Sequence, residues 1–260
     1  MSSCGELLDR LGPEQHVVQL YGSDDRLITQ NVSRFLSEGL KRGDGILIIA
    51  TPEHRTTLTR ALRGEAGYSR AVLEGRLVFL DAAATLARFM VGRSPDPELF
   101  RSIIGDAVSR VRSRAVHTGV RAYGEMVGLL WQTGEHSAAA QLEGLWNELL
   151  NQSDVCLFCA YPIDVFGPDF EPGKLDALLC SHTHLLPIDD TLEQALHRAM
   201  NEVLEPRVDA PSDLMQGNRS PSWGAVPRAE ALVLWLRENL PEAAEQILAR
   251  AREHYQKSRP

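Results

Sequence analysis

Short apolar runs of strand length recur along the chain, and stretches with helical periodicity separate them. The runs at 46–50, 77–80 and 155–160 contain no charged residue. Runs of this kind are typical of strands in a parallel sheet that is covered on both faces. Between them, apolar positions recur at helical spacing, most clearly over 138–150. The alternation over residues 16–186 therefore predicts an α/β fold, a three-layer sandwich with a mostly parallel sheet.

The C-terminal part of the chain has a different pattern. An amphipathic helix is predicted over 189–204, and the proline- and serine-containing stretch 205–227 has the composition of a linker. Beyond the linker, 228–256 is predicted to form a helical C-terminal extension that serves dimerisation or partner contact. We therefore expect an α/β domain over 1–188, followed by these three segments.

The stretch 120–150 places an acid at the end of a predicted strand. Its first residues have strand character, Gly124 permits a turn, and Glu125 follows directly. The amphipathic helix begins near Ala138. Since open α/β sheets bind ligands outside the carboxyl ends of their strands, Glu125 is predicted to lie at a binding edge.

Other polar and aromatic side chains follow the predicted strands and would meet Glu125 at the same edge. Aromatic walls with one or two carboxylates suit a small, partly apolar molecule better than an anion. The alternative is that the aromatic residues pack in the core and that Glu125 pairs locally. The candidate ligand-binding residues are Tyr21, Thr51, Asp81, Glu125, Trp131 and Tyr161.

A phosphate-binding loop is expected to be absent. The strand, turn and helix over 16–40 occupy the position where a nucleotide-binding α/β domain would hold phosphates, which requires the pattern GxxxxGK[ST]. The turn contains no lysine, and Asp24 and Asp25 lie at the start of the helix, where they would repel phosphate. Hydrolysis of ATP by the usual mechanism is therefore not expected, and residual nucleotide binding is the alternative function.

Histidines provide two further candidates. His16 could act as a titrating sensor, with a structural role as the alternative. His182 and His184 form an HxH pair, but 174–186 is predicted to be helical, and side chains two positions apart on a helix diverge. On an extended segment the two side chains could share a face. A metal site also requires further ligands, which the spacing does not identify. We expect no metal, and His182 and His184 are the candidate ligands should one bind.

Catalytic patterns are weak. Cys156 and Cys159 have the spacing CxxC, but they lie in a predicted strand, where they would point to opposite faces. This excludes a zinc-binding or redox pair of cysteines and favours buried thiols. No serine lies in a GxSxG turn, and no Cys–His pairing is indicated. We expect no catalytic residue and no cofactor, with a degenerate ATPase or a metal hydrolase as the alternatives to a non-enzyme.

Composition limits the partners. The net charge of −8 argues against broad binding to nucleic acid or to an anionic membrane. No apolar run approaches the roughly 20 residues that span a bilayer, and no signal peptide is evident. Four cysteines in 260 residues are typical of reduced intracellular thiols. We therefore expect a cytoplasmic protein that binds a small molecule and has no direct contact with nucleic acid or membrane.

Six segments, in their order and spacing, carry a resemblance to a known family over about residues 14–188. They are HVVQLYGSDDR, GILIIATPEH, GRLVFLDA, VRAYGEMVGLLW, AAAQLEGLWNELL and LLCSHTHLLP. Together they resemble the MEDS domain, the methanogen/methylotroph sensory domain. The resemblance implies a degenerate RecA/KaiC-like fold without a P-loop, with Glu125 where the Walker-B acid would stand.

The resemblance also implies a function. MEDS-like domains are thought to sense small hydrocarbon-derived molecules and are often attached to histidine kinases or transcriptional outputs. We therefore expect a non-catalytic sensory or regulatory domain in signal transduction or transcriptional control. Its expected partners are a histidine kinase or a transcriptional regulator, and the C-terminal helices are a candidate homodimer contact. A protein–protein adaptor that binds no ligand is the further alternative.

Overall fold

The computed structural model divides the chain into two compact units. The first comprises Met1–Pro162 and Ser181–Thr183, and the second comprises Ile163–Cys180 and His184–Pro260. Most of the predicted linker, residues 205–225, lies outside the described residues, as do Ser23 and Asp24 in the first turn. The residues that the structure describes are 4–22, 25–117, 119–204 and 226–258.

The elements of the first unit alternate as the apolar runs predict. In chain order they are α1 Cys4–Arg10, β1 His16–Leu20, α2 Arg26–Arg42, β2 Gly45–Ala50, α3 Pro52–Leu62, α4 Tyr68–Leu73, β3 Leu77–Asp81, α5 Ala82–Ala87, β4 Met90–Val91, β5 Ser94–Pro95, α6 Pro97–Phe100, a π-helical turn Arg101–Gly105, α7 Asp106–Arg112, β6 Val120–Gly124, α8 Met126–Gln132, α9 His136–Leu150 and β7 Val155–Tyr161. The strand–helix order over this part of the chain agrees with the prediction.

Five strands of the main sheet belong to this unit, in the order β3-β2-β6-β7-β1. Each neighbouring pair is parallel, and the register places Ile49 beside Gly124 and Gly124 beside Cys159. All residues of β1, β2, β6 and β7 are buried, which explains why most of them are apolar. The predicted α/β fold with a mostly parallel sheet is confirmed. Its kinship with RecA/KaiC-like ATPases stays a prediction.

Helices cover both faces of this sheet. On one face, the ring of Phe35 from α2 meets Phe158 of β7 edge-on at 5.6 Å between centroids, and Tyr123 of β6 meets the same ring at 6.0 Å. On the other face, Gly124 lies beneath the indole of Trp146 from α9. Consecutive residues of a strand point to opposite faces, so Tyr123 and Gly124 mark the two layers of helix.

The second unit is mainly helical. It contains most of α10 Asp176–Ser181, together with β8 His184–Leu186, α11 Asp190–Val203, α12 Arg228–Asn239 and α13 Pro241–Ser258. The last helix packs against both α11 and α12. The helical C-terminal extension is confirmed. Within the described residues, none of the helices combines the length and hydropathy needed to cross a lipid bilayer.

The helix predicted over 174–186 is wrong in its second half, because the helix ends at Ser181 and a strand follows. The backbone N–H of Thr183 donates to the carbonyl oxygen of His16 at 2.7 Å. The Thr183 hydroxyl accepts from the His16 N–H and donates to the same carbonyl, both at 2.9 Å. The first of these bonds to β1 uses the backbone N–H of Thr183, which a continued helix would require.

Two helical glycines give opposite predictions for replacement by alanine. A Cβ at Gly128, in α8, would lie 2.6 Å from the carbonyl oxygen of Ala160 and 3.0 Å from Cδ of Pro162. Gly128→Ala should therefore lower the free energy of unfolding by about 1–3 kcal/mol through overpacking. Gly144, in α9, has space for a Cβ, and Gly144→Ala should raise that free energy by about 1 kcal/mol. Urea unfolding measures both changes, and equal effects would contradict this packing.

Glu230 predicts a pH-dependent stability. The side chain is buried in α12, and its Oε1 accepts from the backbone N–H of Ile188 at 2.7 Å. Burial raises the pKa of Glu230 from 4.5 to about 7. The contribution of protonated Glu230 to the free energy of unfolding is therefore complete below about pH 4.5 and is lost as the pH rises through 7. Glu230→Gln keeps the acceptor but cannot ionise. The fall of about 3 kcal/mol in the free energy of unfolding that ionisation of Glu230 causes should therefore be absent from this variant.

Urea unfolding at a series of pH values from 4 upward tests this expectation. Glu238→Gln is the matched control, because Glu238 lies exposed on the same helix. The control should keep the pH dependence of the wild type. The assignment fails if Glu230→Gln and Glu238→Gln give the same profile.

Candidate functional site

The strand order reverses between β2 and β6, which are neighbours in the sheet. From β2 the chain continues to β3 on one side, whereas from β6 it continues to β7 on the other. Diverging connections leave a crevice outside the carboxyl ends of the strands, where open α/β sheets bind ligands. A cleft of about 370 Å³ opens there. Its lining residues are Tyr21, Gly22, Asp25, Thr51, Glu53, His54, Glu125, Gly128, Leu129 and Gln132.

Glu125 is the most firmly held polar side chain of the cleft. Its backbone N–H donates to the carbonyl of Ile49 in β2 at 3.0 Å. Its Oε2 accepts from the backbone N–H of Thr51 at 2.7 Å, and its Oε1 accepts from the Tyr123 hydroxyl at 2.7 Å. The Nδ1 atom of His54 lies 2.6 Å from the same Oε1. The carboxylate therefore joins β6 to β2 and to the start of α3.

His54 lies in the first turn of α3, directly after β2. The Thr51 hydroxyl accepts from the His54 backbone N–H, and Pro52 occupies the first helical position, so the sequence itself starts the helix here. The Nε2 atom lies 3.2 Å from Oδ2 of Asp25. The hydrogen bond to Glu125 raises the pKa of His54 against the opposing effect of burial, and Asp25 adds to the rise. The imidazole thus bridges two carboxylates.

Two tyrosines lie at this network, and Tyr123 donates its hydroxyl proton to Glu125. Burial and the nearby Glu125 raise the pKa of Tyr123 well above its ordinary value. The same two causes, with Asp25, raise the pKa of Tyr21, whose ring lies edge-on to His54 at 6.0 Å. Both phenols therefore keep their protons at neutral pH and can donate hydrogen bonds.

The charge of the cleft disfavours anions. Among its described lining residues, three are acidic, namely Asp25, Glu53 and Glu125, and His54 carries the cationic group, with neither lysine nor arginine present. A phosphate would meet carboxylates without a fixed countercharge. Neutral molecules with hydrogen-bonding groups, and small cations, fit this arrangement better.

The six candidate ligand-binding residues do not all lie at the cleft. Tyr21, Thr51 and Glu125 line the cleft. Asp81 does not, because its carboxylate caps α5 by accepting from the Ala84 N–H at 2.8 Å.

Trp131 also lies elsewhere. Its ring is buried, stacked on His136 at 4.2 Å and edge-on to Tyr161 at 5.6 Å. Trp131 is therefore buried among aromatic rings and is not among the residues that line the cleft.

His54, Asp25 and Gln132 also line the cleft, although they are not among the six predicted residues. The signal for His54 was present, because the first turn of a helix that follows a parallel strand lies at the carboxyl edge of the sheet. Asp25 was considered only as a barrier to phosphate, although its carboxylate contacts the imidazole of the cleft.

Tyr161 belongs to a second, buried group of polar side chains. Its hydroxyl donates to Oε1 of Glu143 at 2.6 Å. The Nε2 atom of His182 lies 3.2 Å from the same oxygen, and Nε2 of His16 lies 3.3 Å from Oε2. The Sγ atom of Cys159 lies 3.3 Å from Nε2 of His16. The side chains of His16, Glu143 and His182 are each 1% exposed.

Burial governs ionisation in this second group. Burial, together with the neighbouring His182, lowers the pKa of His16 to about 4, so this candidate sensor is neutral at neutral pH. Burial alone would raise the pKa of Glu143, but His182, His16 and the Tyr161 hydroxyl bring it down to about 2. Burial and Glu143 raise the pKa of the Cys159 thiol well above its ordinary value.

The HxH pair is divided between the units. His182 joins the buried group of the first unit, whereas His184 begins β8 of the second. Cys156 and Cys159 are both buried in β7, as expected. The surroundings of Cys159 are polar, however, and its thiol lies 3.9 Å from Oε2 of Glu143.

Comparison with known sequences identifies one family. The family model of MEDS, described as the methanogen/methylotroph, DcmR sensory domain, matches residues 15–183. The match covers the cleft and the buried group. No curated protein matches the chain significantly.

The contact between His54 and Glu125 predicts a titration. The pKa of His54 should lie above 6.5 and should fall in Glu125→Gln, because the hydrogen bond to that carboxylate is the largest cause of the rise. Protonated His54 should stabilise the fold fully below pH 6.5, and this contribution should be lost as the pH rises through the higher folded pKa. NMR titration of the imidazole C–H protons measures the shift.

Glu53→Gln is the matched control. It removes a negative charge from the same cleft but leaves Glu125 and Asp25, the two carboxylates that contact the His54 ring, in place. It should lower the pKa of His54 by less than Glu125→Gln does. A fall of the same size in both variants would show that the general field of the cleft, and not the hydrogen bond, sets the pKa.

Proposed function

Since the chain belongs to the MEDS family of sensory domains, we propose that it is a non-catalytic sensory or regulatory domain that binds a small molecule in the cleft. Its place would be in signal transduction or transcriptional control. The single observation that carries the ligand site is the open cleft at the reversal of strand order, with Glu125 and His54 held in fixed positions at its base. Preorganised polar groups in a concave site are what small-molecule recognition requires.

The lining indicates the chemistry of the ligand. Asp25, Glu53 and Glu125 favour a neutral or cationic polar group over an anionic one. The ring of Tyr21 and the side chain of Leu129 offer apolar surface beside these groups. A small, partly apolar molecule with one hydrogen-bonding or amine-like end would use both parts of the cleft.

The elements around the cleft support a regulatory role. A ligand that engages His54 or Glu125 would compete with the hydrogen bonds that join α3, β2 and β6. A ligand shifts the equilibrium between two conformations of the protein only if it contacts them differently. These hydrogen bonds are contacts that could differ between the two conformations. We propose a histidine kinase or a transcriptional regulator as the partner that receives the signal, and the C-terminal helices as the contact for it or for a second copy.

A change that fills the cleft should abolish binding. Leu129 lies half-buried on the cleft wall, so Leu129→Trp would place an indole in the space of the ligand. Wild type and variant are dialysed against a small-molecule extract of the source cells, and retained compounds are identified by mass spectrometry. We expect the wild type to retain at least one compound that Leu129→Trp does not. That compound at one hundred times its Kd should stabilise the wild type by about 2.7 kcal/mol.

The control is the same substitution at Leu73, which lies in α4 and is 87% exposed. Leu73→Trp should retain what the wild type retains. Identical retention by all three proteins would overturn the proposal and favour an adaptor without a ligand. Retention of a nucleoside triphosphate that Leu129→Trp loses would favour the residual nucleotide-binding protein.

A further inference from the structure

The buried group of the first unit contains four side chains of the kind that bind metals. His16, Glu143, Cys159 and His182 each offer one ligand atom, and these atoms all lie within 4.8 Å of one another. We propose that the four residues bind a zinc ion. This site is separate from the cleft, and its test does not depend on the ligand proposed for the cleft.

The shorter contacts within the group are close to the edges of a zinc coordination sphere, and all four ligand atoms lie within 4.8 Å of one another. Bonds of about 2.0–2.1 Å to nitrogen or oxygen and about 2.3 Å to sulfur give tetrahedral edges of roughly 3.3 Å for nitrogen–oxygen pairs and roughly 3.5 Å for nitrogen–sulfur pairs. Oε1 of Glu143 lies 3.2 Å from Nε2 of His182, and its other oxygen, Oε2, lies 3.3 Å from Nε2 of His16. Sγ of Cys159 lies 3.3 Å from His16 and 3.9 Å from Glu143. Small shifts of side chains would make the set regular.

Neighbouring side chains orient two of the ligands. The Nδ2 atom of Asn147 donates to the carbonyl of Ser181 at 2.9 Å, which leaves its Oδ1 as the acceptor for Nδ1 of His16 at 2.8 Å. His16 therefore carries its proton on Nδ1, and the lone pair of Nε2 points into the group. The Tyr161 hydroxyl holds one oxygen of Glu143. Such outer hydrogen bonds are typical around metal ligands.

The composition of the group favours zinc. A thiolate with two imidazoles is a softer set than calcium or magnesium prefers, and four protein ligands fill a tetrahedral sphere. The group is buried, so a structural ion fits better than a catalytic one, which would keep a position open to substrate. Zinc binds the thiolate form of Cys159, so binding releases the thiol proton to solvent.

The proposed ion would connect distant parts of the chain. His16 belongs to β1, Glu143 to α9 and Cys159 to β7, whereas His182 lies in the short segment Ser181–Thr183 that returns to the first unit. That segment is already bonded to His16 through Thr183. A zinc ion would fix it to the sheet and so close the domain that the family match covers.

Metal content is the first test. The full chain is purified without a histidine tag, in a Cys180→Ser background because Cys180 is exposed. The protein is exposed to zinc and dialysed, and its metal content is measured by elemental mass spectrometry. We expect stoichiometric zinc in this protein. Cys159→Ala should lose it, whereas Cys156→Ala should keep it, since Cys156 is equally buried in the same strand but lies outside the group.

Absence of stoichiometric zinc from the unsubstituted site would overturn the proposal, and would show that the four side chains form a hydrogen-bonded core network. Stoichiometric copper in its place would overturn the assignment to zinc. Circular dichroism of each variant separates loss of the ion from loss of the fold.

Cobalt supplies a second measurement that does not rely on removing a ligand. Co²⁺ in the site should give a thiolate-to-metal charge-transfer band and the intense visible bands of tetrahedral cobalt. Tyr161→Phe removes only an outer hydroxyl and should weaken zinc binding by about 10- to 100-fold in competition with a chelator. Unchanged affinity in Tyr161→Phe, or a charge-transfer band that survives in Cys159→Ala, would contradict the site.

Discussion

Burial of the parallel strands on both faces is the constraint on which the rest of the first unit depends. The residues of β2 and β6 are buried along their whole length, so the polar groups of the cleft collect where these strands end. Because the strands are parallel, those ends share one edge of the sheet. Glu125 shows the consequence, since it accepts hydrogen bonds from the backbone of Thr51, directly after β2, and from Tyr123 in the adjacent strand β6. The cleft follows from the direction of the strands together with the reversal of their order.

Strand β7 lies between two polar groups of different character. Phe158 packs against Tyr123, whose hydroxyl holds Glu125 of the cleft. The next residue, Cys159, points to the opposite face and joins His16 and Glu143. The cleft is open and acidic, and its side chains are held by hydrogen bonds that a ligand could replace. The buried group is closed to solvent and contains ligand atoms of the kind that bind a soft metal.

The fold could be predicted from the sequence because it depends on local patterns. The apolar run at 46–50 requires cover on both faces, and the position of Glu125 after a strand requires the sheet edge. The end of the helix at Ser181, before residue 186, could not be predicted in this way. It depends on bonds between Thr183 and His16, which are 167 positions apart. Propensity carries no information about such a partner.

The same distinction between local patterns and contacts of distant residues explains which features of the sites could be predicted. Alternation along a strand correctly separates Cys156 from Cys159 and excludes a pair of cysteines, but it does not exclude partners from elsewhere in the chain. Cys159 meets His16 across 143 positions and Glu143 across 16. A motif search finds ligands that are close in sequence, whereas a site assembled from several elements requires the register of the sheet. The register of β7 beside β1, and the return of His182 to the first unit, supply the information that no spacing contains.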